Sequence, residues 1–138
     1  MNTFNDLGIH EKFVKGLADM GIHEPTPIQA EVIPLLLHET NDLVGQAQTG
    51  TGKTAAFGLP LLHRIDSTKK VVQGLVLCPT RELGQQVAKQ LFKFTKFSDK
   101  IFTEAVYGGA KIDQQIKNLQ RQTHIIVKCE NHSNGRSR

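Results

Sequence analysis

Apolar residues recur along this chain at two spacings, one helical and one typical of buried strands. Helical spacing predicts helices over 10–20, from 27, from 54 to about 64, from 82, and at Ile112, Ile116 and Leu119. Short apolar runs predict strands over 42–45, 71–78, 101–107 and 124–127. Because strands alternate with helices, the pattern predicts an α/β fold, a parallel sheet with helices on both faces. The run over 71–78 is too apolar to alternate, as expected of a strand buried on both faces.

Proline and glycine mark where the first two helices begin and end. Thr26 before Pro27, with Gln29 three residues after the threonine, forms a capping-box signature that predicts the start of the second helix. Gly21 is a natural stop for the first helix. Pro34 is expected to kink or restart the second helix, because proline lacks the N–H of the helical hydrogen bond.

The segment from Ala47 to Thr54 has the spacing of a phosphate-binding loop between a strand and a helix. Gly50 and Gly52 let several backbone N–H groups converge on one phosphate, towards which the next helix directs its positive end. Lys53 is expected to reach the β and γ phosphates, and the Thr54 hydroxyl to complete the shell of a Mg²⁺ ion. The alternative is an ordinary glycine-rich connection, since the strict pattern has Gly where Ala47 stands. The loop residues are Ala47, Gln48, Thr49, Gly50, Thr51, Gly52, Lys53 and Thr54.

Composition narrows the class of protein. A content of 38% hydrophobic and 22% charged residues is typical of a soluble globular protein, and the length of 138 residues allows one domain. The net charge of +4 favours an anionic partner such as nucleic acid or nucleotide. Two cysteines and six histidines without ligand spacing indicate a reducing cytoplasm rather than a disulfide or zinc framework. We expect a protein that is neither secreted nor membrane-spanning, because signal-peptide and membrane-length apolar patterns are missing.

Four segments, in order, resemble motifs of the DEAD-box family of ATP-dependent RNA helicases over residues 4 to about 127. The first is the Q motif, in which Phe4 precedes Gly21 by seventeen residues and Pro25-Thr26-Pro27-Ile28-Gln29 follows. The second is the phosphate-binding loop in the form AxTGxGKT. The third is Pro79-Thr80-Arg81-Glu82-Leu83, and the fourth is Gly108-Gly109. The resemblance implies a RecA-like P-loop domain, ATP and Mg²⁺ as cofactors, RNA as the partner and no membrane partner.

The resemblance also implies how adenine is selected. In the family the glutamine reads the edge of adenine and the aromatic residue packs on the base, which assigns these roles to Gln29 and Phe4. A carboxamide offers one donor and one acceptor side by side, and these match the N6 donor and N7 acceptor of adenine. The alternatives are that Gln29 closes the capping box with Thr26 and that Phe4 is a core residue. For Gln29 both roles can coexist.

The third and fourth segments are those through which the family contacts RNA. A Thr at a helix N-terminus followed by Arg can hold a phosphate through N–H, hydroxyl and guanidinium groups, without reading bases. The alternative is a structural N-cap at Thr80 with Arg81 paired to an acid. The family's usual residue after Leu83 is Ala, and Gly84 here costs about 1 kcal/mol of helix propensity. The implied contact residues are Pro79, Thr80, Arg81, Gly108 and Gly109.

Lysine and phenylalanine alternate around the end of the fourth helix. They are Lys89, Lys93, Lys96, Lys100, Phe92, Phe94 and Phe97. The pattern is compatible with a nucleic-acid surface. We favour a solvated lysine face on a helix whose aromatic residues belong to the core.

The resemblance divides the chain into a Q-motif region over 1–30, a partial RecA-like ATP-binding domain over 31–127 and an unrelated polar tail over 128–138. Family members continue with Thr-Pro-Gly-Arg, Asp-Glu-Ala-Asp and a second domain, which this sequence does not contain. The missing acids help to hold Mg²⁺ and activate water, so we do not expect unwinding by this chain alone. A frameshift, premature stop or cloning boundary is our hypothesis for the tail. The strand over 42–45 is expected to have an unsatisfied edge.

Three functional classes fit these observations. The first is an ATP-binding, RNA-binding amino-terminal fragment of a DEAD-box RNA helicase. The second is a non-catalytic nucleotide or RNA-binding fragment, and the third is another P-loop enzyme such as a small-molecule kinase. The Q-motif core with its upstream Phe4 argues against the third class.

Overall fold

Three helices come first along the chain, and strands and a helix alternate only over residues 74–107. The computed structural model describes residues 3–38, 41–48, 52–107, 117 and 122–129. The elements are α1 (Glu11–Asp19), α2 (Pro27–His38), α3 (Lys53–His63), β1 (Gly74–Cys78), α4 (Arg81–Phe94), β2 (Thr103–Tyr107) and β3 (Ile125–Cys129). The predicted helix at Ile112, Ile116 and Leu119 lies outside the described residues.

Two compact units contain these elements. The first comprises residues 1–64 and 93–99, and the second comprises residues 65–92 and 100–138. The first unit therefore carries α1, α2 and α3, and the second carries the strands and most of α4. No helix within the described ranges is long and apolar enough to cross a membrane.

The first unit is built on α1, α2 and α3, whose limits agree with the sequence signals. The side chain of His10 caps α1 by accepting a hydrogen bond from the N–H of Lys12, at 3.1 Å. α1 buries Phe13 and Leu17 and ends before Gly21, as predicted. α2 begins at Pro27 and packs against α3, which ends one residue before the predicted limit.

Pro34 neither ends nor restarts α2, contrary to one half of the sequence prediction. The helix runs from Pro27 to His38 with the proline inside it. Proline removes one helical hydrogen bond, but Val32 and Ile33 beside it are buried and anchor this part of the helix. Packing within the first unit therefore holds the helix together across the proline.

The predicted strand over 42–45 does not form. These residues have no regular secondary structure, and the side chain of Val44 is 98% exposed. No described strand pairs with this segment, so its backbone groups have no ladder to join. An apolar run needs a neighbouring strand as well as the right composition to become a strand.

The described strands form the predicted parallel sheet, in the order β1-β3-β2. Gly74 of β1 and Thr103 of β2 both pair with Ile125 of β3, and the register continues to Cys78, Tyr107 and Cys129 at the carboxyl ends. The strands begin later than predicted, at 74, 103 and 125. β3 also includes Lys128 and Cys129, which the sequence assigns to the polar tail, because Cys129 is buried at the carboxyl end of this central strand.

β1 is not buried on both faces, contrary to the prediction from its apolar run. Gly74 and Cys78 are buried, whereas Leu75 is 61% and Leu77 71% exposed. β1 lies at an edge of the described sheet, and within the described residues no layer covers its alternate side chains.

The aromatic residues near the end of α4 are only partly core residues. Phe94 is fully buried, as predicted, but Phe92 is 70% and Phe97 50% exposed, so the prediction is wrong for these two. Val87, Leu91 and Phe94 form the buried face of the helix, and Phe92 points away from it. Phe97 follows the end of α4 and no longer obeys helical spacing. The four lysines are exposed, as predicted.

His124 is a fully buried polar residue that anchors the start of β3 in the second unit. Its Nδ1 atom accepts a hydrogen bond from the N–H of Phe102 at 2.9 Å, and its Nε2 atom lies 3.2 Å from the carbonyl oxygen of Ser67. Because Nδ1 accepts a hydrogen bond, a ring proton on Nε2 faces the Ser67 carbonyl. A histidine in the apolar start of a strand thus serves here as a structural link.

His63 makes the stability of the first unit depend on pH. Its Nε2 atom accepts a hydrogen bond from the N–H of His10 at 3.1 Å, and its ring centroid lies 5.1 Å from that of Phe13. Burial, followed by the charges of His10 and Lys12, lowers the pKa of His63 from its usual 6.5. Because the folded protein prefers the neutral ring, the contribution is complete above pH 6.5 and is lost as pH falls towards the lowered folded pKa.

We therefore expect urea midpoints of the wild-type chain to fall between pH 7.5 and pH 5 by more than those of His63→Gln. Glutamine keeps an acceptor within reach of the His10 N–H and does not titrate. His23→Gln, at an exposed histidine, is the matched control. Equal decreases in urea midpoint for the wild type and His63→Gln would contradict the role of His63.

Candidate nucleotide site and nucleic-acid interface

Gln29 connects the predicted Q motif to the predicted phosphate-binding loop. Its side chain is 3% exposed, and its Nε2 atom donates a hydrogen bond to the carbonyl oxygen of Gly52 at 3.0 Å. Its Oε1 atom accepts a hydrogen bond from the N–H of Thr26 at 2.9 Å. Two segments that are 23 residues apart in sequence are thus joined by one carboxamide.

The capping box at the start of α2 is half formed. Gln29 bonds to the N–H of Thr26, as the signature predicts, but the Thr26 hydroxyl has no hydrogen-bond partner within the described residues although its oxygen is buried. A capping role alone does not require the bond from Gln29 to Gly52. The Oε1 atom of Gln29 bonds within the cap, and its Nε2 atom bonds to the loop. Neither bond involves a base, so adenine reading by Gln29 stays a prediction.

The N-terminus of α3 has the features that bind a phosphate. Gly52 is its N-cap with φ of 88° and offers no side-chain cap to the N–H groups of the first turn. These groups and the positive end of the helix dipole favour an anion. Lys53 is exposed, and no carboxylate in the described part of the chain forms an ion pair with it. The helix begins at Lys53, one residue earlier than predicted, and Thr54 is half-buried in its first turn.

The rest of the predicted loop is only partly described. Ala47 is half-buried, Gln48 is exposed, and neither belongs to a helix or strand. Thr49, Gly50 and Thr51 lie outside the described residues. The geometry that supports phosphate binding therefore comes from Gly52, Lys53 and Thr54.

Phe4 lies in the hydrophobic core of the first unit and is 1% exposed. Its carbonyl oxygen accepts a hydrogen bond from the N–H of Ile9, within a turn that precedes α1. This placement agrees with the alternative that Phe4 is a core residue. A base that packs on Phe4 needs an exposed ring face, so the contact with adenine stays a prediction.

In the second unit, Thr80 and Arg81 form the start of α4 immediately after β1. The Thr80 hydroxyl accepts a hydrogen bond from the N–H of Leu83 at 3.2 Å, which makes Thr80 the N-cap. Arg81 and Pro79 are exposed. The guanidinium carbon of Arg81 lies 4.3 Å from the centroid of the Tyr107 ring. Within the described residues no acid forms an ion pair with Arg81, so the alternative of an acid-paired arginine is not what the structure shows.

The carboxyl ends of the strands lie close to this helix start. Cys78 and Cys129 are register partners on β1 and β3, and both are free and buried. Burial raises the pKa of both thiols; the neighbouring thiol adds to this effect at Cys78, and the charge of Arg81 partly opposes it at Cys129. Thiols with raised pKa values are poor nucleophiles, so these cysteines pack rather than react.

Gly84 departs from the residue usual in the resembled family, and the structure gives the reason. A Cβ atom at this position would overlap the Sγ atom of Cys129 and would lie 3.5 Å from Cγ1 of Val127. α4 approaches β3 so closely at this point that only glycine leaves room for the cysteine side chain. The lost helix propensity is thus the cost of close packing on the sheet.

Tyr107 is the residue of this interface that the sequence did not indicate. Its position at the end of a strand, directly before the Gly108-Gly109 pair, could have indicated Tyr107, because ligands bind at the carboxyl ends of parallel strands. Gly108 and Gly109 themselves lie outside the described residues. The contact of Tyr107 with Arg81 arises only in the folded sheet.

Comparison with known proteins agrees with these features. A family model described as "DEAD/DEAH box helicase" matches residues 26–132. The chain is 50% identical over 127 residues to the DEAD-box ATP-dependent RNA helicase CshA of Bacillus cereus, covering 92% of this chain and 24% of that protein. It is 51% identical over 126 residues to the RNA helicase CrhR of Synechocystis, covering 91% of this chain and 25% of that protein. The chain thus spans about a quarter of the length of these relatives.

Solved structures show the same fold. A DEAD box protein from the hyperthermophile Methanococcus jannaschii is 35% identical with a TM-score of 0.86, and the match covers 92% of this chain and 34% of that one. Dbp5 of S. cerevisiae, bound to RNA and ADP BeF3, is 32% identical with a TM-score of 0.82, and the match covers 94% of this chain and 32% of that one. The described part of the chain therefore has the RecA-like fold of these proteins.

Proposed function

This chain belongs to the DEAD/DEAH box helicase family, and from that premise we propose that it is the ATP-binding, RNA-binding amino-terminal part of an ATP-dependent RNA helicase. The observation that carries the proposal is the hydrogen bond from buried Gln29 to the Gly52 carbonyl. It joins the segment expected to select the base to the loop expected to hold the phosphates. The names of the curated relatives, which this chain matches over a quarter of their length, support the same function.

The start of α3 is the proposed phosphate site. The backbone N–H groups of its first turn, uncapped by any side chain at Gly52, hold phosphate oxygens, and Lys53 supplies a positive charge for the β and γ phosphates. Thr54 supplies a hydroxyl to Mg²⁺, which balances phosphate charge when bound. The residues present fit this group, since the Cβ of any other residue at Gly52 would fill the space against Gln29.

Base selection is assigned to Gln29 and, through the family motif alone, to Phe4, whose ring is buried in the core. The Oε1 atom of Gln29 accepts one hydrogen bond and its Nε2 atom donates one, so the carboxamide has one further acceptor site and one further N–H. These are the groups that adenine requires and guanine does not match. The buried hydroxyl of Thr26, which has no hydrogen-bond partner among the described residues, lies near the same carboxamide.

The second unit supplies the proposed RNA contacts. Thr80, Arg81 and the N-terminal N–H groups of α4 bind phosphates of the RNA backbone, so binding does not depend on base sequence. Pro79, Gly108 and Gly109 are assigned to RNA contact by the family motifs alone. The cytoplasm is the proposed location, because the two cysteines are free thiols.

Titration calorimetry with Mg²⁺ and either ADP or GDP tests the nucleotide part of the proposal. We expect the 138-residue chain to bind ADP in preference to GDP and to show background hydrolysis of ATP with or without RNA, because its sequence contains no Asp-Glu-Ala-Asp. Lys53→Ala should abolish detectable binding, since a charge-assisted hydrogen bond contributes about 1.5–3 kcal/mol.

Lys15→Ala, at an exposed lysine of α1, is the matched control and should leave binding unchanged. Unfolding curves of both variants establish that the chain is folded during the titration. Equal affinity for ADP and GDP, or full binding by Lys53→Ala, would contradict the proposed site. RNA-stimulated turnover would show that this chain is a complete catalyst.

A further inference from the structure

Arg81 is restrained by an aromatic ring rather than by a carboxylate. Its guanidinium carbon lies 4.3 Å from the centroid of the Tyr107 ring, and within the described residues no acid forms an ion pair with it. A contact with an aromatic face leaves the N–H donors at the guanidinium edge available and does not neutralise the charge. A carboxylate partner would occupy some of these donors and offset the positive charge.

Three features of the fold bring Arg81 and Tyr107 into contact. Thr80 caps α4 and places Arg81 at the first helical position. Tyr107 is the last residue of β2, and it pairs in register with Cys129 of β3. Gly84 allows α4 to lie against the Cys129 side chain, so the helix start is close to the ends of these two strands. The half-buried Tyr107 ring thus lies against the exposed Arg81 guanidinium.

We propose that Tyr107 is a positioning residue that holds the Arg81 guanidinium in place for a phosphate of single-stranded RNA. An exposed arginine loses rotational freedom when it binds a phosphate, at a cost of about 0.5–1.5 kcal/mol for an ordered side chain. Tyr107 restricts this freedom before RNA arrives. This inference rests on the proposed RNA contact of Arg81 and adds the residue that orders it.

The test measures binding of a fluorescein-labelled oligouridylate by fluorescence polarisation over a series of salt concentrations. Arg81→Ala is expected to weaken binding and to reduce the slope of log Kd against log salt by about 0.7, the value for one contact on a single strand. Tyr107→Leu is expected to weaken binding roughly two- to fivefold, the range of an exposed cation–π contact. Its salt slope should stay that of the wild type, because the arginine charge is still present. Tyr107→Phe should restore most of the affinity lost in Tyr107→Leu.

The double variant separates positioning from general structural damage. If Tyr107 acts through Arg81, adding Tyr107→Leu to Arg81→Ala weakens binding no further. Phe102→Leu, one residue before β2, removes a ring that Lys100 approaches to 6.0 Å and that stacks on His124, and it should not change affinity. Thermal unfolding of each variant shows whether the second unit stays folded.

The outcomes distinguish this inference from the proposed function. If Arg81→Ala weakens binding but Tyr107→Leu does not, or if Tyr107→Leu weakens binding equally in both backgrounds, Tyr107 is not a positioning residue. If the wild-type chain does not bind the oligouridylate, or if Arg81→Ala has no effect, the RNA contact of Arg81 is itself wrong and the inference falls with it.

Discussion

Gly52→Ala is expected to lower the free energy of unfolding by about 3 kcal/mol and to abolish ADP binding. The residue has φ of 88°, in the left-handed region that costs an L-residue roughly 1–2 kcal/mol. The new Cβ atom would also overlap the Nε2 atom of Gln29. Because Gln29 is buried and bonded at both ends of its carboxamide, it can move away only by losing hydrogen bonds worth about 1 kcal/mol each.

Gly45→Ala is the matched control for this prediction. A Cβ atom at Gly45 would lie 3.7 Å from Cγ2 of Val32 and 3.9 Å from Cδ1 of Ile28, which are ordinary contacts. We expect its urea midpoint to stay close to that of the wild type and its ADP affinity to be unchanged. A Gly52→Ala variant as stable as Gly45→Ala would show that Gln29 does not hold the loop.

Gly16→Ala is expected to destabilise the first unit by about 2 kcal/mol, because a methyl group does not fit where α1 meets the end of α4. The Cβ atom would lie 2.5 Å from the carbonyl oxygen of Phe94 and 3.1 Å from that of Lys93. Both are backbone atoms, and Phe94 is fully buried, so the contact is relieved only by moving a helix end. The cost of overpacking, at the upper end of about 1–3 kcal/mol, exceeds the gain of about 1 kcal/mol in helix propensity.

Urea unfolding of Gly16→Ala and Lys15→Ala compares the cost of overpacking with the gain in helix propensity. Lys15 is the exposed neighbour on the same helix, and its replacement changes helix propensity without touching the contact. The ion pair between Lys96 and Asp19, at 2.9 Å, joins the same two parts of the chain but is exposed, so it adds little. A Gly16→Ala variant more stable than the wild type would mean that propensity alone governs this position.

Local signals were sufficient to predict the four described helices. The structure reproduces the predicted helix limits within a few residues. The signals were the capping signature at Thr26 and Pro27, the stop at Gly21 and the apolar face of Val87, Leu91 and Phe94. These signals depend on residues close in sequence, so helices can be predicted from them without knowledge of the tertiary fold. The parallel sheet followed from the alternation of elements for the same reason.

Non-local contacts were the source of the errors. The segment 42–45 has the composition of a strand but no described neighbour, and Leu75 and Leu77 have the composition of a buried face but lie on an edge strand. Phe92 is apolar but lies off the buried face of α4. The composition of a segment shows whether it is suited to burial. Whether another strand or layer covers it depends on the fold of the whole chain.

The sequence by itself determined the family and the motifs of the two candidate sites, because phosphate-binding loops and helix starts depend on residues at fixed short spacing. Only the tertiary structure decided how these residues are held. Gln29 reaches Gly52 across 23 residues, Arg81 lies over the ring of Tyr107, and Gly84 makes room for Cys129. Each of these contacts joins residues that are distant in sequence, and side-chain packing in three dimensions sets which of them meet.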